Sequence, residues 1–367
     1  MKVVFLVTRS DNIGGSHIHV RDLVLSLKKE GHEIDVIIGG NGPVIEHYKN
    51  FGILPIVIPA LQREISPLKD YRAYKAIKEK IEELKPDLIS THSSKAGFLG
   101  RIAAHQKKIP SIFTAHGWSF TTGKKSINRY IYRKLEDYAA SLTTKIITVS
   151  DYDKKLAIKH LSIDEDKVIT IHNGMMDIEP EFIAMQNHEK NRPVQLVKIA
   201  RYDHQKDHIE FLKAVKNFNN IEINFVGDGP LFNQVKNTAE TFNLSHKIKY
   251  WGRVESVKEI LSDSDIFVLI SNWEGFPRST LEAMRAGLPT IVSDVGGASE
   301  AVEHGKTGFV VQKGDINSLK KYLGQLISNE SFRREMGKNA RYKFERSFTF
   351  DMMYQKTKKV YQEILIK

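Results

Sequence analysis

Two glutamates eight residues apart, Glu274 and Glu282, lie in the run WEGFPRSTLEAMRAGLPTIVSD, whose residue types suit a phosphorylated ligand that carries hydroxyl groups. The apolar run IFVLIS (266–271) predicts a strand before it, Gly275 and Pro277 predict a loop, and STLEAMRAG predicts a helix with Glu282 in its first turn. Exposed N–H groups at a helix N-terminus bind phosphate or diphosphate, and carboxylates accept hydrogen bonds from hydroxyls. The stretch therefore predicts a nucleotide-sugar site, although the helix dipole alone also favours an acidic residue at a helix start.

Two cations follow the first predicted strand of the second half. Arg201 and Lys206 lie in IARYDHQKDH, where they can neutralise a diphosphate. In a chain this basic, the alternative is a pair of solvated surface cations. Gly14 and Gly15 follow the first strand of the chain and would let a ligand approach the backbone, but an ordinary strand-to-helix turn needs them equally.

Histidines also lie near strand ends. His116 in TAHGW can hydrogen-bond a substrate hydroxyl or the reacting centre, or it can be structural, and His92 favours the structural role. His17 and His19 are two residues apart on a predicted helix, so they do not share a face and a metal pair is not expected. The letters DSD at 263–265 precede a strand instead of following one, so no metal is expected there either.

Composition limits the classes of function. The 367 residues exceed one ordinary core, which favours two domains. No cysteine is present, so disulfides, thiolate metal sites and cysteine nucleophiles are excluded. The net charge of +11 favours negatively charged partners, but no nucleic-acid-binding motif is present. No apolar run reaches the length of about 18 residues that a membrane span needs, and the N-terminus does not resemble a signal peptide, so a cytoplasmic location is expected.

Apolar runs with helical segments between them predict a parallel, doubly wound sheet in each half. The expected strands lie at 3–8, 34–39, 55–60, 87–92, 111–116, 145–150, 168–173, 195–201, 222–229, 248–252, 266–271, 289–294 and 308–312. The polar segment 177–193 is expected to be a linker between domains at 1–176 and 194–350, and 351–367 is a last helix.

The segment 121–145 predicts a basic amphipathic helix. Its apolar stripe is Ile127, Ile131, Leu135, Tyr138 and Leu142, and its first half carries the cations Lys124, Lys125, Arg129, Arg133 and Lys134. Such a helix can rest on an anionic membrane surface or contact an acceptor there. Alternatively, it packs its stripe in the domain core and exposes only its basic face.

Taken together, these motifs resemble the family 4 retaining glycosyltransferases of GT-B architecture, in particular bacterial enzymes of capsule, O-antigen and exopolysaccharide assembly. The strongest match is EGFPRSTLEAMRAGLPTIVSDVGGASEAVEHGKTGFVV (274–311). IHNGM, IARYDHQKD, VGDGP and WGR add matches in the family's order. The resemblance implies two doubly wound parallel-sheet domains that face a central cleft, with the last helix crossing back onto the N-terminal domain.

The resemblance also implies roles for matching residues. Glu282 is expected on the ribose, Glu274 and His116 on the transferred sugar, and Arg201 and Lys206 on the diphosphate; Glu274, His116, Arg201 and Lys206 are the expected catalytic set. The remaining donor-binding residues are Gly15, Gly252, Arg253, Gly275, Phe276, Thr280 and Leu281. The family needs no metal. One departure is Tyr202, which is bulkier than the residue usual in this loop, so the loop's geometry is in question.

The expected reaction is transfer, with retained anomeric configuration, from a UDP-hexose or UDP-N-acetylhexosamine to a hydroxyl of a lipid-linked or saccharide acceptor. The expected acceptor is polyprenyl-linked or a saccharide of bacterial surface polysaccharide synthesis, and the enzyme is expected at the inner face of the plasma membrane as a peripheral protein. A sugar-nucleotide epimerase of the same architecture and a non-catalytic nucleotide-sugar-binding module are the alternatives.

Overall fold

The computed structural model of the chain describes residues 1–8, 10–11, 13–121, 126–184 and 192–366. Lys124 and Lys125, which the sequence places in a membrane- or acceptor-binding segment, lie outside the described residues. Within the described ranges, long-range contacts divide the chain into two compact units. Unit 1 contains Met1–His172 and the chain from Tyr354 onward, and unit 2 contains Asn173–Met353.

Strands form wherever the sequence has a run of Val, Ile and Leu, and all thirteen predicted strands are confirmed. Their bounds are β1 (Lys2–Val7), β2 (Glu33–Gly39), β3 (Ile56–Ile58), β4 (Leu88–His92), β5 (Ser111–Ala115), β6 (Lys145–Thr148), β7 (Val168–Thr170), β8 (Val194–Ile199), β9 (Ile221–Val226), β10 (Ile248–Gly252), β11 (Ile266–Leu269), β12 (Thr290–Ser293) and β13 (Gly308–Val311). Most are buried on both faces, which explains why apolar residues do not alternate with polar ones along them.

The helices alternate with the strands. Their bounds are α1 (Gly15–Lys29), α2 (Pro43–Asn50), α3 (Pro67–Leu84), α4 (Ser94–Gln106), α5 (Ser126–Ser141), α6 (Asp151–His160), α7 (His208–Val215), α8 (Phe232–Thr241), α9 (Lys258–Ser262), α10 (Arg278–Arg285), α11 (Ile316–Ser328), α12 (Glu330–Ser347) and α13 (Phe350–Leu365). Polar side chains cap several of them at the N-terminus; Ser150, for example, accepts a hydrogen bond from the backbone N–H of Asp153.

Unit 1 contains a seven-stranded parallel sheet in the order β3-β2-β1-β4-β5-β6-β7. The strand order reverses between β1 and β4, which pair in register from Val3 with Leu88 to Val7 with His92. In open α/β sheets, ligands bind at the carboxyl ends of the strands on either side of such a reversal. The loops after β1 and β4 are therefore the expected ligand-binding loops of unit 1.

Unit 2 contains a six-stranded parallel sheet in the order β10-β9-β8-β11-β12-β13. Here the reversal falls between β8 and β11, which pair at Ile266 with Leu196 and at Phe267 with Val197. The loops that follow these two strands carry Arg201, Lys206 and Glu274. The topology therefore brings together residues that are far apart in the sequence.

The first part of the predicted linker is attached to unit 2. Arg341 binds both carboxylate oxygens of Asp177 at 2.6 Å, and the N–H of Ala184 donates to the carbonyl of Ala286 at 2.9 Å. Residues 177–184 are therefore held by hydrogen bonds and an ion pair.

Helix α5 does not pack its apolar stripe in the domain core, which was one of the two alternatives that the sequence allowed. The stripe Ile127, Ile131, Leu135 and Tyr138 is 68, 48, 40 and 55% exposed. The prediction that this stripe packs in the core is therefore wrong. An amphipathic pattern shows that a helix has an apolar side but does not show what covers that side.

The buried side of α5 carries a charge and small residues. Glu136, Ala139 and Ala140 are buried, and the carboxylate of Glu136 lies 2.7 Å from the fully buried guanidinium of Arg101 on α4. Glu136 thus supplies the countercharge of this buried guanidinium. The ion pair fixes α5 with its apolar stripe outward.

Among the described residues, no helix is both long and apolar enough to cross a lipid bilayer.

Candidate functional site

In unit 2, two loops meet at the reversal of strand order: residues 200–207 after β8 and 270–277 after β11. The N–H of Asn272 donates to the carbonyl of Gln205 at 2.7 Å, and its side-chain amide donates to the carbonyl of His204 at 2.7 Å. One asparagine, through its backbone and its side chain, thus fixes the spacing of the two loops.

The predicted cation Lys206 and the predicted carboxylate Glu274 form a direct ion pair. Their side chains are only 16 and 5% exposed. Gln205 adds hydrogen bonds from its Nε2 to the carbonyl of Trp273 at 2.8 Å and to the second oxygen of Glu274 at 3.3 Å. The pair is preorganised, since each charge is held by its partner before any ligand arrives.

Helix α10 begins directly after the loop that carries Glu274. Its N-cap residue is Pro277, which provides no side-chain hydrogen bond to the helix. Thr280 in the first turn is fully buried, and its Oγ1 has no hydrogen-bond partner among the described residues. An uncapped N-terminus beside an unsatisfied hydroxyl suits an anionic ligand.

Glu282 lies in the second turn of α10, so the prediction that it lies in the first turn is wrong. The helix begins at Arg278, because Pro277 is still extended at φ −70° and ψ 122°, and Glu282 is then the fifth helical residue. Its side chain is half-buried. It is one residue further from the start of the helix than the sequence suggested.

Tyr202, which put the geometry of the loop in question, points into the core of unit 2. It is fully buried and stacks on His208 with ring centroids 4.4 Å apart. The neighbouring Arg201 points outward, with a side chain 46% exposed and 4.0 Å from Asp203. The bulky residue therefore anchors the loop and leaves the cation available to solvent.

Glycines permit close approach of neighbouring loops to these two. Gly227 has φ +137°, and a Cβ there would lie 2.2 Å from the carbonyl oxygen of Ala200. Gly296 has φ +58°, and a Cβ there would lie 1.9 Å from the carbonyl oxygen of Glu274. Both positions require glycine for space and for backbone conformation.

Beneath the two loops lies a lysine that the sequence analysis did not identify. Lys198 on β8 is fully buried, and its Nζ donates to the carbonyl of Ile270 at 2.8 Å. Burial lowers the pKa of Lys198 to about 7, and repulsion from Lys206 contributes to the shift. The bond ties the end of β8 to the end of β11.

Other predicted donor-binding residues are placed differently. Gly252 ends β10 at φ +63° with open space where a side chain would be, and Arg253 beside it is exposed. Leu281 is fully buried, so only its backbone can contact a ligand. Phe276 is also buried and packs on Phe348 with ring centroids 5.5 Å apart. Its side chain belongs to the core, whereas Gly275 next to it is half-buried.

In unit 1, the loop after β1 leads directly into α1. Gly14 is the N-cap and Gly15 the first helical residue, and both are exposed. The N–H of Gly14 donates to His17 Nδ1 at 3.1 Å. The two glycines thus place no side chain over the start of α1, and ligand binding there stays a prediction.

Three histidines from separate elements meet at the reversal of strand order in unit 1. His19 lies on α1, His92 ends β4 and His116 follows β5. One ring nitrogen of each lies within 4.8 Å of the others, so they could hold a metal ion. His92 Nδ1 and His116 Nε2 are 3.2 Å apart, which is a hydrogen-bond distance.

His92 also bonds to residues that the sequence analysis did not single out. Its Nε2 lies 3.1 Å from the hydroxyl of Ser90, which lies 2.7 Å from the hydroxyl of Tyr361 on α13. Ser90, Gln205 and Asn272 all flank a predicted residue on the same strand or loop. Gln205 and Asn272 follow strand ends and Ser90 lies two residues before the end of β4, and this position was the only signal in the sequence that could have identified them.

Comparison with known proteins shows the same organisation. The family described as "Glycosyltransferase Family 4" matches residues 13–176, and "Glycosyl transferases group 1" matches residues 180–343. The UDP-Gal:alpha-D-GlcNAc-diphosphoundecaprenol alpha-1,3-galactosyltransferase of Escherichia coli is 32% identical, covering 93% of this chain and 91% of that protein. The capsular polysaccharide biosynthesis glycosyltransferase CapM of Staphylococcus aureus is 24% identical, covering 99% and 97%. The crystal structure of Anabaena Alr3699/HepE in complex with UDP and glucose matches with a TM-score of 0.84 at 19% identity, covering 99% of each chain.

Two doubly wound parallel sheets with these structural neighbours define the GT-B fold. The chain belongs to glycosyltransferase family 4, and it is a glycosyltransferase.

Proposed function

We propose that the protein transfers a hexose or N-acetylhexosamine from a UDP-sugar to a hydroxyl of a lipid-linked or saccharide acceptor, with retention of configuration. The observation that carries this proposal is the Lys206–Glu274 pair beside the uncapped N-terminus of α10. The galactosyltransferase relative supports the choice of UDP and of a polyprenyl diphosphate acceptor, because its name states both.

Lys206 and Arg201 are proposed to hold the diphosphate, together with the N–H groups of Thr280 and Leu281. Charge grows on the leaving oxygens as the glycosidic bond breaks, so these contacts strengthen in the transition state. Arg201 is half-exposed and free to turn toward an arriving ligand. Two cations and a helix N-terminus can balance the diphosphate charge, so the proposed reaction requires no metal.

Glu274 is proposed to accept hydrogen bonds from the transferred sugar, and Glu282 from the ribose. Both oxygens of Glu274 are engaged by Lys206 and Gln205, so Glu274 is a poor nucleophile. Attack on the same face as the leaving group, assisted by the departing phosphate, therefore fits retention better than a covalent intermediate. Gly252 and Arg253 are proposed near the base, Gly15 near the diphosphate, and His116 on the transferred sugar.

Helix α5 is proposed to rest on an anionic membrane surface at the cytoplasmic side, where a polyprenyl-linked acceptor is held. Its exposed apolar stripe starts at Ile127, and the cations Arg129 and Arg133 lie on the same helix, beside the exposed ring of Tyr130. Apolar side chains that insert among lipid headgroups, with cations beside them, are the requirement for an interfacial helix.

An assay of nucleotide release tests the proposed reaction. The purified protein is incubated with UDP- and GDP-sugars, with and without a polyprenyl diphosphate sugar, in the presence of EDTA. UDP release that depends on the acceptor supports the transferase. Interconversion of sugars without acceptor would instead indicate an epimerase, and binding with neither outcome would indicate a non-catalytic module.

Vesicle sedimentation tests the membrane proposal. Replacing Ile127 and Ile131 by Ser, or Arg129 and Arg133 by Gln, is expected to reduce co-sedimentation with anionic vesicles. A matched variant in which the exposed unit 2 residue Lys338 is replaced by Gln is expected to sediment like the wild type. Equal sedimentation of all variants would reject α5 as the contact surface.

A further inference from the structure

A chain of three hydrogen bonds in unit 1 connects the last helix to His116. Tyr361 on α13 bonds to Ser90 on β4 at 2.7 Å, Ser90 bonds to His92 Nε2 at 3.1 Å, and His92 Nδ1 bonds to His116 Nε2 at 3.2 Å. Tyr361, Ser90 and His92 are fully buried. Water therefore does not compete for these protons.

The protonation states of the buried members follow from their surroundings. His92 is fully buried, and burial disfavours the charged imidazolium, so His92 is neutral. A neutral imidazole has one N–H donor and one acceptor nitrogen. Burial raises the pKa of Tyr361, so its hydroxyl keeps its proton.

The hydroxyl of Tyr361 determines which group donates and which accepts in these hydrogen bonds. Among the described residues its only hydrogen-bond partner is Ser90. If Tyr361 accepted from Ser90, its own buried proton would have no acceptor, which is costly. Tyr361 therefore donates to Ser90, and Ser90 donates to His92 Nε2.

The same direction continues to His116. Because His92 accepts at Nε2, its proton is on Nδ1, and it donates from there to His116 Nε2. A neutral His116 that accepts at Nε2 carries its proton on Nδ1. The tautomer of His116 is thus fixed by the hydroxyl of Tyr361, three hydrogen bonds away.

We propose that Tyr361, Ser90 and His92 are positioning residues that hold His116 as an Nδ1–H donor, so that it donates to an oxygen of the donor substrate and does not accept from one. This proposal rests on the proposed function for the role of His116, but the tautomer itself does not. It predicts that the sugar oxygen contacted by His116 is recognised as an acceptor. Replacement of that hydroxyl by fluorine, which cannot donate, is then tolerated better than its removal.

Nuclear magnetic resonance of ¹⁵N-histidine-labelled protein reads the tautomer directly, with EDTA in all samples so that a metal on His19, His92 and His116 cannot mimic the effect. His116→Gln and His92→Gln assign the signals. In the wild type we expect a protonated Nδ1 and an unprotonated Nε2 on His116. Tyr361→Phe and Ser90→Ala are each expected to convert His116 into a mixture of tautomers.

The matched control is Tyr354→Phe, the same change on the same helix at a hydroxyl that faces Glu30. It is expected to leave the His116 signals and the activity unchanged. Tyr361→Phe is expected to lower kcat by roughly three- to tenfold, the value of one lost neutral hydrogen bond, with little change in KM.

Two results would overturn the proposal: a wild-type His116 protonated on Nε2, or a tautomer that Tyr361→Phe and Ser90→Ala leave unchanged. The wild-type measurement needs no variant, so it decides the question even if a substitution prevents folding. If the tautomer is as expected but no sugar transfer is found, the proposed function is wrong, whereas the hydrogen bonds from Tyr361 to His116 are still supported.

Discussion

Lys198 makes the stability of unit 2 depend on pH in a direction opposite to that of a lysine whose pKa is raised by a salt bridge. The lysine is fully buried, and its pKa in the folded protein is about 7, compared with 10.5 for an unperturbed lysine. Between these two values the unfolded chain binds more protons than the folded chain. The free energy of unfolding therefore rises with pH across this window, and the contribution is lost as the pH falls toward 7.

The size of the effect follows from the two pKa values. Each pH unit within the window corresponds to about 1.4 kcal/mol, but at pH 7 the folded lysine is already half protonated. From pH 7 to pH 9 the free energy of unfolding should therefore rise by about 2 kcal/mol on account of this one group.

Lys198→Met isolates this contribution. Methionine keeps a long apolar side chain but does not titrate, and the loss of the hydrogen bond to the carbonyl of Ile270 has the same effect at every pH. We propose urea unfolding of the wild type and Lys198→Met at pH 7, 8 and 9, followed by tryptophan fluorescence; Trp251 and Trp273 lie in unit 2. Each transition is fitted separately, because two units need not unfold together.

The expected result is that the wild type gains about 2 kcal/mol relative to Lys198→Met between pH 7 and pH 9. A difference between the two proteins that stays constant with pH, or that falls as the pH rises, would refute the reasoning. It would mean that Lys198 keeps its charge in the folded protein.

Lys206→Ala is expected to lower kcat by roughly 10²-fold, because it removes a positive charge that stabilises the leaving diphosphate. An unaltered kcat would remove Lys206 from that role. Lys236→Ala, at an exposed lysine of unit 2, is the matched control. Glu282→Ala is expected to weaken UDP binding by roughly tenfold in calorimetry, the value of about one hydrogen bond to an ionised group. Gly296→Ala places a Cβ 1.9 Å from a backbone carbonyl of the facing loop, so it is expected to lower both Tm and UDP affinity; normal values of both would show that the loop adapts. Glu136→Gln leaves a buried guanidinium without its countercharge, and should cost about 3 kcal/mol in urea unfolding.

The sequence was sufficient for the sheets because buried parallel strands are continuous apolar runs, such as Phe267–Leu269. It also pointed to the residues proposed for the site, because ligand-binding residues in these folds follow strand ends. Arg201, Lys206, Glu274 and His116 were all selected by that rule.

Contacts between residues that are far apart in the chain could not be predicted from the sequence. Lys206 and Glu274 are 68 residues apart, and the pattern of residues showed a cation and a carboxylate without showing that they touch. In the same way, His17 and His19 were judged as a pair along one helix, whereas His19 meets His92 and His116 from two strands. The start of α10 was misplaced by one residue, because a proline that looks like part of the loop is the N-cap.

Unit 1 is discontinuous, since Tyr354 and the residues after it belong with Met1–His172 while all of unit 2 lies between them. During translation, the ribosome completes the whole of unit 2 before it adds the last helix of unit 1. Tyr361 fills a fully buried position in unit 1, so the nascent unit 1 keeps an open apolar cleft until Tyr361 has been synthesised. A chain truncated before Tyr361 would therefore leave unit 2 intact and would expose apolar surface in unit 1, the kind of surface that makes partly folded chains aggregate.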